Sequence, residues 1–336
     1  MLPEDLAAHL RSAGVSVRDA EARRVVAHAI AQGRDGFPSS RPVPRTVEQA
    51  VDALTDRRPL EIVERATDPS DGFVKYLFRL HDGALAEAVR IPLEIEGRFT
   101  VCVSSQAGCG MGCDFCATGR MGFTRHLEPW EIVAQWLAVR AEAPGIVTGA
   151  VFQGQGEPLH NYANVVRAAE LLSHPCGGRI SAKAITISTV GLVPAIERYA
   201  RERRPWRLIV SLTSAIDTRR RALLPAASAW SVRELADAVR TYQQSAGGRV
   251  TIAWVVLGGI NTGADEVEAL RELFVDIPLR LNLIDVNDAR EDGYVRATDD
   301  ELARFRDGLR TLGIPVVRRY SGGAARHAAC GMLQAR

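Results

Sequence analysis

Six short β-rich runs alternating with amphipathic helices, a helical stretch ahead of them and one strictly alternating run in between predict an α/β protein. The expected architecture is a partial (β/α)6 TIM-like barrel with a small N-terminal helical domain and a β-hairpin extension. We expect an N-terminal helical accessory domain over residues 1–60, a β-hairpin linker or extension over 61–98, a core domain over 99–320 and a flexible C-terminal tail over 321–336 that carries Cys330.

Each part has its own signature. "SVRDAEARRVVAHAIAQG" opens on Ser16 as an N-cap, carries helical apolar spacing through Ala22, Val25, Val26, Ala29 and Ile30, and stops at Gly33. "FPSSRPVPR" then separates this helix from the next. From Gly72, "FVKYLFRL" and "LAEAVRIPL" alternate around His81-Asp82-Gly83, which is hairpin chemistry. After Phe99 the runs "FTVCVS", "VTGAVFQ", "KAITIST", "RLIVSL", "VTIAWVVL" and "LRLNLI" alternate with helices such as "EPWEIVAQWLAVRAEA", "NYANVVRAAELLS", "SVRELADAVRTYQQS" and "DDELARFRDGLRTLG". Strands joined by helical crossovers lie parallel. Spacing alone leaves a doubly wound sheet open, and six serial units favour the barrel, whose chemistry sits at the C-terminal ends of its strands.

Composition narrows the class. In 336 residues there is neither an eighteen-residue apolar run nor a charged-then-apolar leader, so a soluble cytoplasmic protein is expected. Six cysteines are too few for a stapled secreted scaffold, and reduced thiols point to metal or redox chemistry. Lysine occurs only at Lys75 and Lys183, the other basic residues being arginine. Arginine suits phosphate and carboxylate recognition, although codon bias explains such an excess equally well.

"CGMGCDFC" places Cys109, Cys113 and Cys116 within eight residues, after the first barrel strand. A structural zinc site wants four protein ligands, usually as two pairs, and no second CxxC exists here. Three thiolates suit a four-iron cluster with one iron left open. CxxxCxxC in this setting resembles the radical S-adenosylmethionine (SAM) superfamily. The flanks narrow the likeness: "TVCVSSQAGCGMGCDFCATGRMGFTRHL", "DGFVKYLFRLHDG", "GQGEPLHNYANV", "TISTVGLVPAI" and "AACGML" resemble the RlmN/Cfr family of RNA adenine methyltransferases, from about Asp71 to Leu333.

The resemblance implies a radical SAM barrel, a [4Fe-4S] cluster on Cys109, Cys113 and Cys116, and methylation of an adenine carbon, C2 or C8, in rRNA or tRNA. In the family's chemistry a thiolate matching Cys330 takes a methyl group from one SAM, and a second SAM, cleaved at the cluster, supplies the radical that activates it. Cys102 then resolves the protein-RNA adduct by forming a disulfide with Cys330. Glu87 matches a proposed proton acceptor, though a carboxylate exposed on a strand is common. Gly156 would admit SAM, Glu157 would accept from its amino group, and Ser188, Ser211, Leu212, Thr213 and Asn287 would complete the pocket. An electron donor such as flavodoxin or ferredoxin and a monomeric state are implied, with no membrane partner. Cys176 matches nothing in the family and reads as structural.

Departures fall near the substrate. The family usually has Met at Gln153 and Gln155, His at Thr213, a Pro-rich loop at "DVNDAREDGY" and an acidic tail at "GGAARHAACG". These mark a divergent paralogue, and they leave open a same-mechanism enzyme acting on a small molecule or peptide. A non-enzymatic iron-sulfur or zinc protein would not need both Cys102 and Cys330. Eight arginines between Ile196 and Arg221 read either as a phosphate-binding patch or as a solvated, ion-paired face.

Overall fold

The computed structural model describes residues 1–34, 36–56, 59–288, 290, 293–319 and 322–334, without the side chains of 227 and 228. Helices α1 (Pro3–Ser12), α2 (Asp19–Val26) and α3 (Arg45–Leu54) come first, with one π-helical turn continuing α2 over Ala27–Ala31. The cap of α2 differs from expectation. Arg18 holds the extended N-cap backbone and donates its N–H to the Glu21 carboxylate at 2.8 Å, leaving Ser16 outside the helix.

Strands β1 (Glu61–Thr67), β2 (Val74–Arg79) and β3 (Leu85–Pro92) form an antiparallel ribbon. Its tight turn follows from Gly83 at φ +86° and from Asp82, whose carboxylate accepts from the Ala84 N–H at 3.1 Å. The core then runs β4 (Arg98–Val103), β5 (Gln106–Cys109), α4 (Ala117–Met121), β6 (Gly122–His126), α5 (Pro129–Glu142), β7 (Ile146–Phe152), α6 (Tyr162–Ser173), β8 (Ile185–Thr189), α7 (Val193–Arg201), β9 (Arg207–Ser211) and α8 (Asp217–Leu223). It continues through α9 (Val232–Ala246), β10 (Val250–Val256), α10 (Ala264–Phe274), β11 (Leu279–Asp285), α11 (Asp299–Arg310) and β12 (Val316–Arg319).

One ten-stranded sheet takes the order β1-β2-β3-β4-β7-β8-β9-β10-β11-β12. From β4 onward all strands are parallel and spatial order equals chain order. A doubly wound sheet would reverse direction partway, so this is the barrel-type alternative, left open between β1 and β12. The six expected parallel strands are all present, and β12 adds a seventh. The hairpin is continuous with the barrel wall, because β3 pairs with β4 through Val89 and Cys102. Residues facing the helices, such as Val101, Val103, Ile187, Val210 and Ile252, form one core that also includes Leu6, Leu10, Val25 and Val47 of the N-terminal helices. None of the described helices is long and apolar enough to cross a membrane.

The tail was expected to be flexible; its described part is docked. The Ala117 N–H donates to the Gly331 carbonyl at 2.7 Å, the Thr118 hydroxyl to the Leu333 carbonyl at 2.7 Å, and the Gly323 N–H to the Asp71 carboxylate at 2.7 Å. Ala328, Ala329, Met332 and Leu333 are buried. Small residues here permit close backbone approach: a Cβ on Gly323 would lie 2.7 Å from that of Ala328. Ser321, the expected start of the tail, and residues 289, 291 and 292 of the "DVNDAREDGY" loop lie outside the described residues.

Candidate active site

The C-terminal ends of β7, β8, β9, β10 and β11, with the loop that follows β5, surround one pocket with about 900 Å³ of empty space, counting its mouth. Cys109, Cys113 and Cys116 line one wall. Their loop is clamped by the short β5–β6 ribbon, which the expected element list does not contain. Gly108, at φ +70°, is required there because a Cβ would sit 2.0 Å from the Gly122 carbonyl oxygen. Burial pushes the Cys109 thiol up to about 12, and the neighbouring Cys116 and Glu157 charges add to it. Cys113 is raised well above the ordinary thiol value for the same reasons.

Gly156, Glu157, Ser188, Ser211 and Asn287 line the pocket as well. Gly156 has φ +100°, and a Cβ would run into Gln106 at 2.6–2.8 Å, so only glycine fits between the pocket and that side chain. Glu157 accepts from the N–H groups of Val190 at 2.8 Å and Leu159 at 2.9 Å. Burial nevertheless lifts its carboxyl to about 7, the hydrogen bonds recovering part of the shift. Asn287 is oriented by Arg296, which donates to its Oδ1 at 2.6 Å. Leu212 and Thr213 do not line the pocket; both are fully buried behind its wall. Thr213 takes φ +60°, and its carbonyl accepts from Asn261 at 2.6 Å.

Cys330 also lines the pocket, exposed at its rim. Its sulfur accepts from Gln153 Nε2 at 3.0 Å, while desolvation of the sulfur first and the nearby Cys116 charge second push the thiol up to about 11. The backbone N–H of Gln153 bonds Cys102, whose thiol is raised by burial first and by Cys330 second. Gln153 therefore serves both sulfurs. All six cysteines are free thiols, and Cys176 packs at the edge of the main core.

Glu87, read from the sequence as a carboxylate on an exposed strand, is buried at 2 % exposure. The reason is its register: it lies on the inner face of β3, two residues from the Val89 that pairs with Cys102. It forms an ion pair with Lys75 at 2.8 Å, and its N–H donates to Gln155 Oε1 at 3.3 Å. Both glutamines that stand in place of the expected methionines thus have polar partners in the site. Sequence reasoning passed over Lys75 and Arg296, although the rarity of lysine was a usable signal for the first.

The arginine-rich stretch is not one surface. Chain direction carries α7 from the C-terminal end of β8 to the N-terminal end of β9, so Arg198–Arg207 lie at the opposite end of the sheet from the pocket. Arg198 pairs with Glu202, and Arg204 with both Glu170 and Glu202. Arg219 pairs with Asp265 and Glu266. Arg220 is buried, donating to the carbonyls of Leu212 at 3.2 Å and Val190 at 2.5 Å. For these four the ion-paired, structural account holds.

The Radical SAM superfamily family model matches residues 103–274. A chain named Probable RNA methyltransferase from Anaeromyxobacter sp. (strain Fw109-5) is 50% identical, the match covering 100% of this chain and 98% of that one. Dual-specificity RNA methyltransferase RlmN of Anaeromyxobacter dehalogenans (strain 2CP-C) is 36% identical over 99% of this chain and 91% of its own. Among solved structures, a radical SAM methyltransferase from Sphaerobacter thermophilus is similar with a TM-score of 0.91 at 36% identity, covering 100% of this chain and 98% of that one.

Proposed function

The chain belongs to the radical SAM superfamily and, within it, to the RlmN-type RNA methyltransferases, and on that footing we propose that it methylates C2 or C8 of an adenine in rRNA or tRNA through a methylated Cys330. One observation carries the reading: Cys330 stands at the mouth of the pocket that the three-cysteine loop lines, and Gln153 addresses it together with Cys102.

Its cofactors are the family's [4Fe-4S] cluster and SAM. The donor set fits the cluster: three soft sulfurs line one pocket wall, and the Cys116 charge adds to the raised proton affinity of Cys109 and Cys113, which a bound cation would relieve. Cys109, Cys113 and Cys116 would hold it, and with SAM it supplies hydrogen-atom abstraction from a methyl group.

The chain's own groups do the rest. Glu157, once ionised, accepts from the SAM amino group, with Ser188, Ser211 and Asn287 around the remainder of the ligand. Leu212 and Thr213 act from behind by shaping the backbone of that wall. Cys330, as thiolate, takes a methyl group by displacement: its S–C bond forms as the sulfonium S–C bond breaks. The Gln153 N–H stabilises the thiolate. After the methylene carbon has joined the base, the Cys102 thiolate attacks the Cys330 sulfur: the S–S bond forms as the Cys330 S–CH2 bond breaks, and the carbon, leaving with the electron pair, takes a proton to become the methyl group of the released RNA. Glu87 is the acceptor for the ring proton. A small reduced protein such as flavodoxin or ferredoxin supplies electrons, and the chain acts as a monomer.

The test is mass spectrometry of nucleosides from separated RNA pools of cells with and without the gene. Loss of a methyladenosine from one pool is expected. Unchanged methyladenosine in every pool would sink the RNA reading.

A further inference from the structure

Two lysines among forty-two basic residues make any lysine informative, and Lys75 is on the sheet face that carries the sulfur chemistry. Lys75 on β2 is registered with Val89 on β3, Val89 with Cys102 on β4, and Cys102 with Val151 on β7. Registered partners point to the same face of a sheet, so these four form one row across it. Glu87 lies two residues from Val89 on that face, diagonal to Lys75, a separation that a long side chain spans. The Lys75 side chain is 16% exposed and its ammonium reaches Glu87 Oε1 at 2.8 Å.

We infer that Lys75 is a positioning residue: its ammonium keeps the buried Glu87 carboxylate charged and fixed on the sheet face it shares with Cys102. This rests on the reading of Glu87 as proton acceptor given above.

The surroundings show why a cation is needed. Burial at 2% exposure disfavours the charged carboxylate, and Glu64 on β1 adds a repelling charge. Cys102 of β4 and Ser104 just beyond it offer no positive charge, and Ser104 is committed through its hydroxyl to the Glu87 carbonyl at 2.5 Å. From the β7 end, Gln155 Nε2 reaches Glu87 Oε2 only at 3.5 Å. From the tail, the Gln334 N–H gives a neutral hydrogen bond. Lys75 is the one cation among the named neighbours, and burial of the pair makes its loss costly. Removing the ammonium raises the carboxyl's proton affinity, so the ionised form retreats to higher pH.

The experiment uses the cluster-reconstituted protein and four forms: wild type, Lys75→Met, Lys75→Arg and Glu87→Gln. Infrared titration follows the protonated-carboxyl band that Glu87→Gln removes, and the pH profile of RNA methylation is recorded beside it. In wild type that band is absent at pH 7. Lys75→Met moves its midpoint up by about one unit or more, a tenfold gain in proton affinity, and shifts the acid limb of the rate profile the same way. Lys75→Arg restores both. A Glu87 protonated at pH 7 in wild type overturns the inference without any Lys75 variant, and so does an unmoved midpoint in Lys75→Met. Failure of the wild type to methylate any RNA pool would instead sink the proposed function and leave the infrared outcome intact.

Discussion

Cys330 and Cys102 share Gln153, and this sharing separates their expected phenotypes. Cys330→Ala should abolish methyl transfer while iron and sulfide content stay at wild-type levels, since Cys109, Cys113 and Cys116 are on a different loop. Cys102→Ala should let the methylene carbon join the base and then stall, leaving a covalent protein-RNA species visible as a shifted band on a denaturing gel. Free methylated RNA formed at the normal rate by that variant would refute the resolving role. Glu157 gives a pH prediction. Its carboxyl sits near 7 because burial disfavours the charge, so the ionised fraction grows as pH rises through 7. SAM affinity, measured by calorimetry, should therefore fall as pH drops below 7, approaching about tenfold per unit. The effect should vanish in Glu157→Gln. The cysteine motif made the pocket wall of Cys109, Cys113 and Cys116 legible beforehand, because three thiols in eight residues admit few chemistries, whereas the parts given to Cys330, Cys102 and Glu157 came from the family resemblance of their flanks. The burial of Glu87 was not legible, since alternation along one strand does not say which neighbour covers it.

At the scale of elements, the three-cysteine loop is held by α4 and by the β5–β6 ribbon rather than by its own sequence. Gly119 in α4 backs onto the loop so closely that a Cβ would lie 2.9 Å from the Cys113 nitrogen and 2.8 Å from its carbonyl oxygen. Gly119→Ala must displace the Cys113 backbone and should lower iron incorporation several-fold, read from the visible absorbance of the reconstituted protein, while far-UV circular dichroism is unchanged. Thr118 ties the tail by its bond to the Leu333 carbonyl. Thr118→Val should cost about 1 kcal/mol and hasten proteolytic cleavage after Arg326 while leaving iron content intact. The six main strands could be read from β-rich runs of six to eight residues. The ribbon could not: "QAGC" and "GFTRH" neither alternate nor carry an apolar run, and they pair because Gly108 lets two backbones touch.

For the molecule as a whole, the N-terminal helices and the barrel share a core, and two ties reinforce it. Arg140 of α5 donates to the Ile30 carbonyl at 2.6 Å, and Arg167 of α6 pairs with Asp5. All five tryptophans lie from Trp130 onward, so their fluorescence reports the barrel alone. Leu10→Ala, at a fully buried site in α1, should cost about 2–5 kcal/mol. Its urea midpoint should fall equally by tryptophan fluorescence and by circular dichroism; a fluorescence midpoint that stays put would show the two parts unfolding separately. The sequence by itself determined the α/β class, the serial parallel strands and the kinship of the three-cysteine loop, because periodicity and motif spacing are local properties of the chain. Tertiary structure alone decided that the tail docks, that the arginines divide between opposite ends of the sheet, and that Lys75, Glu87 and Cys102 share one face. Those facts depend on which strand lies beside which, and register between distant segments is written in no single one of them.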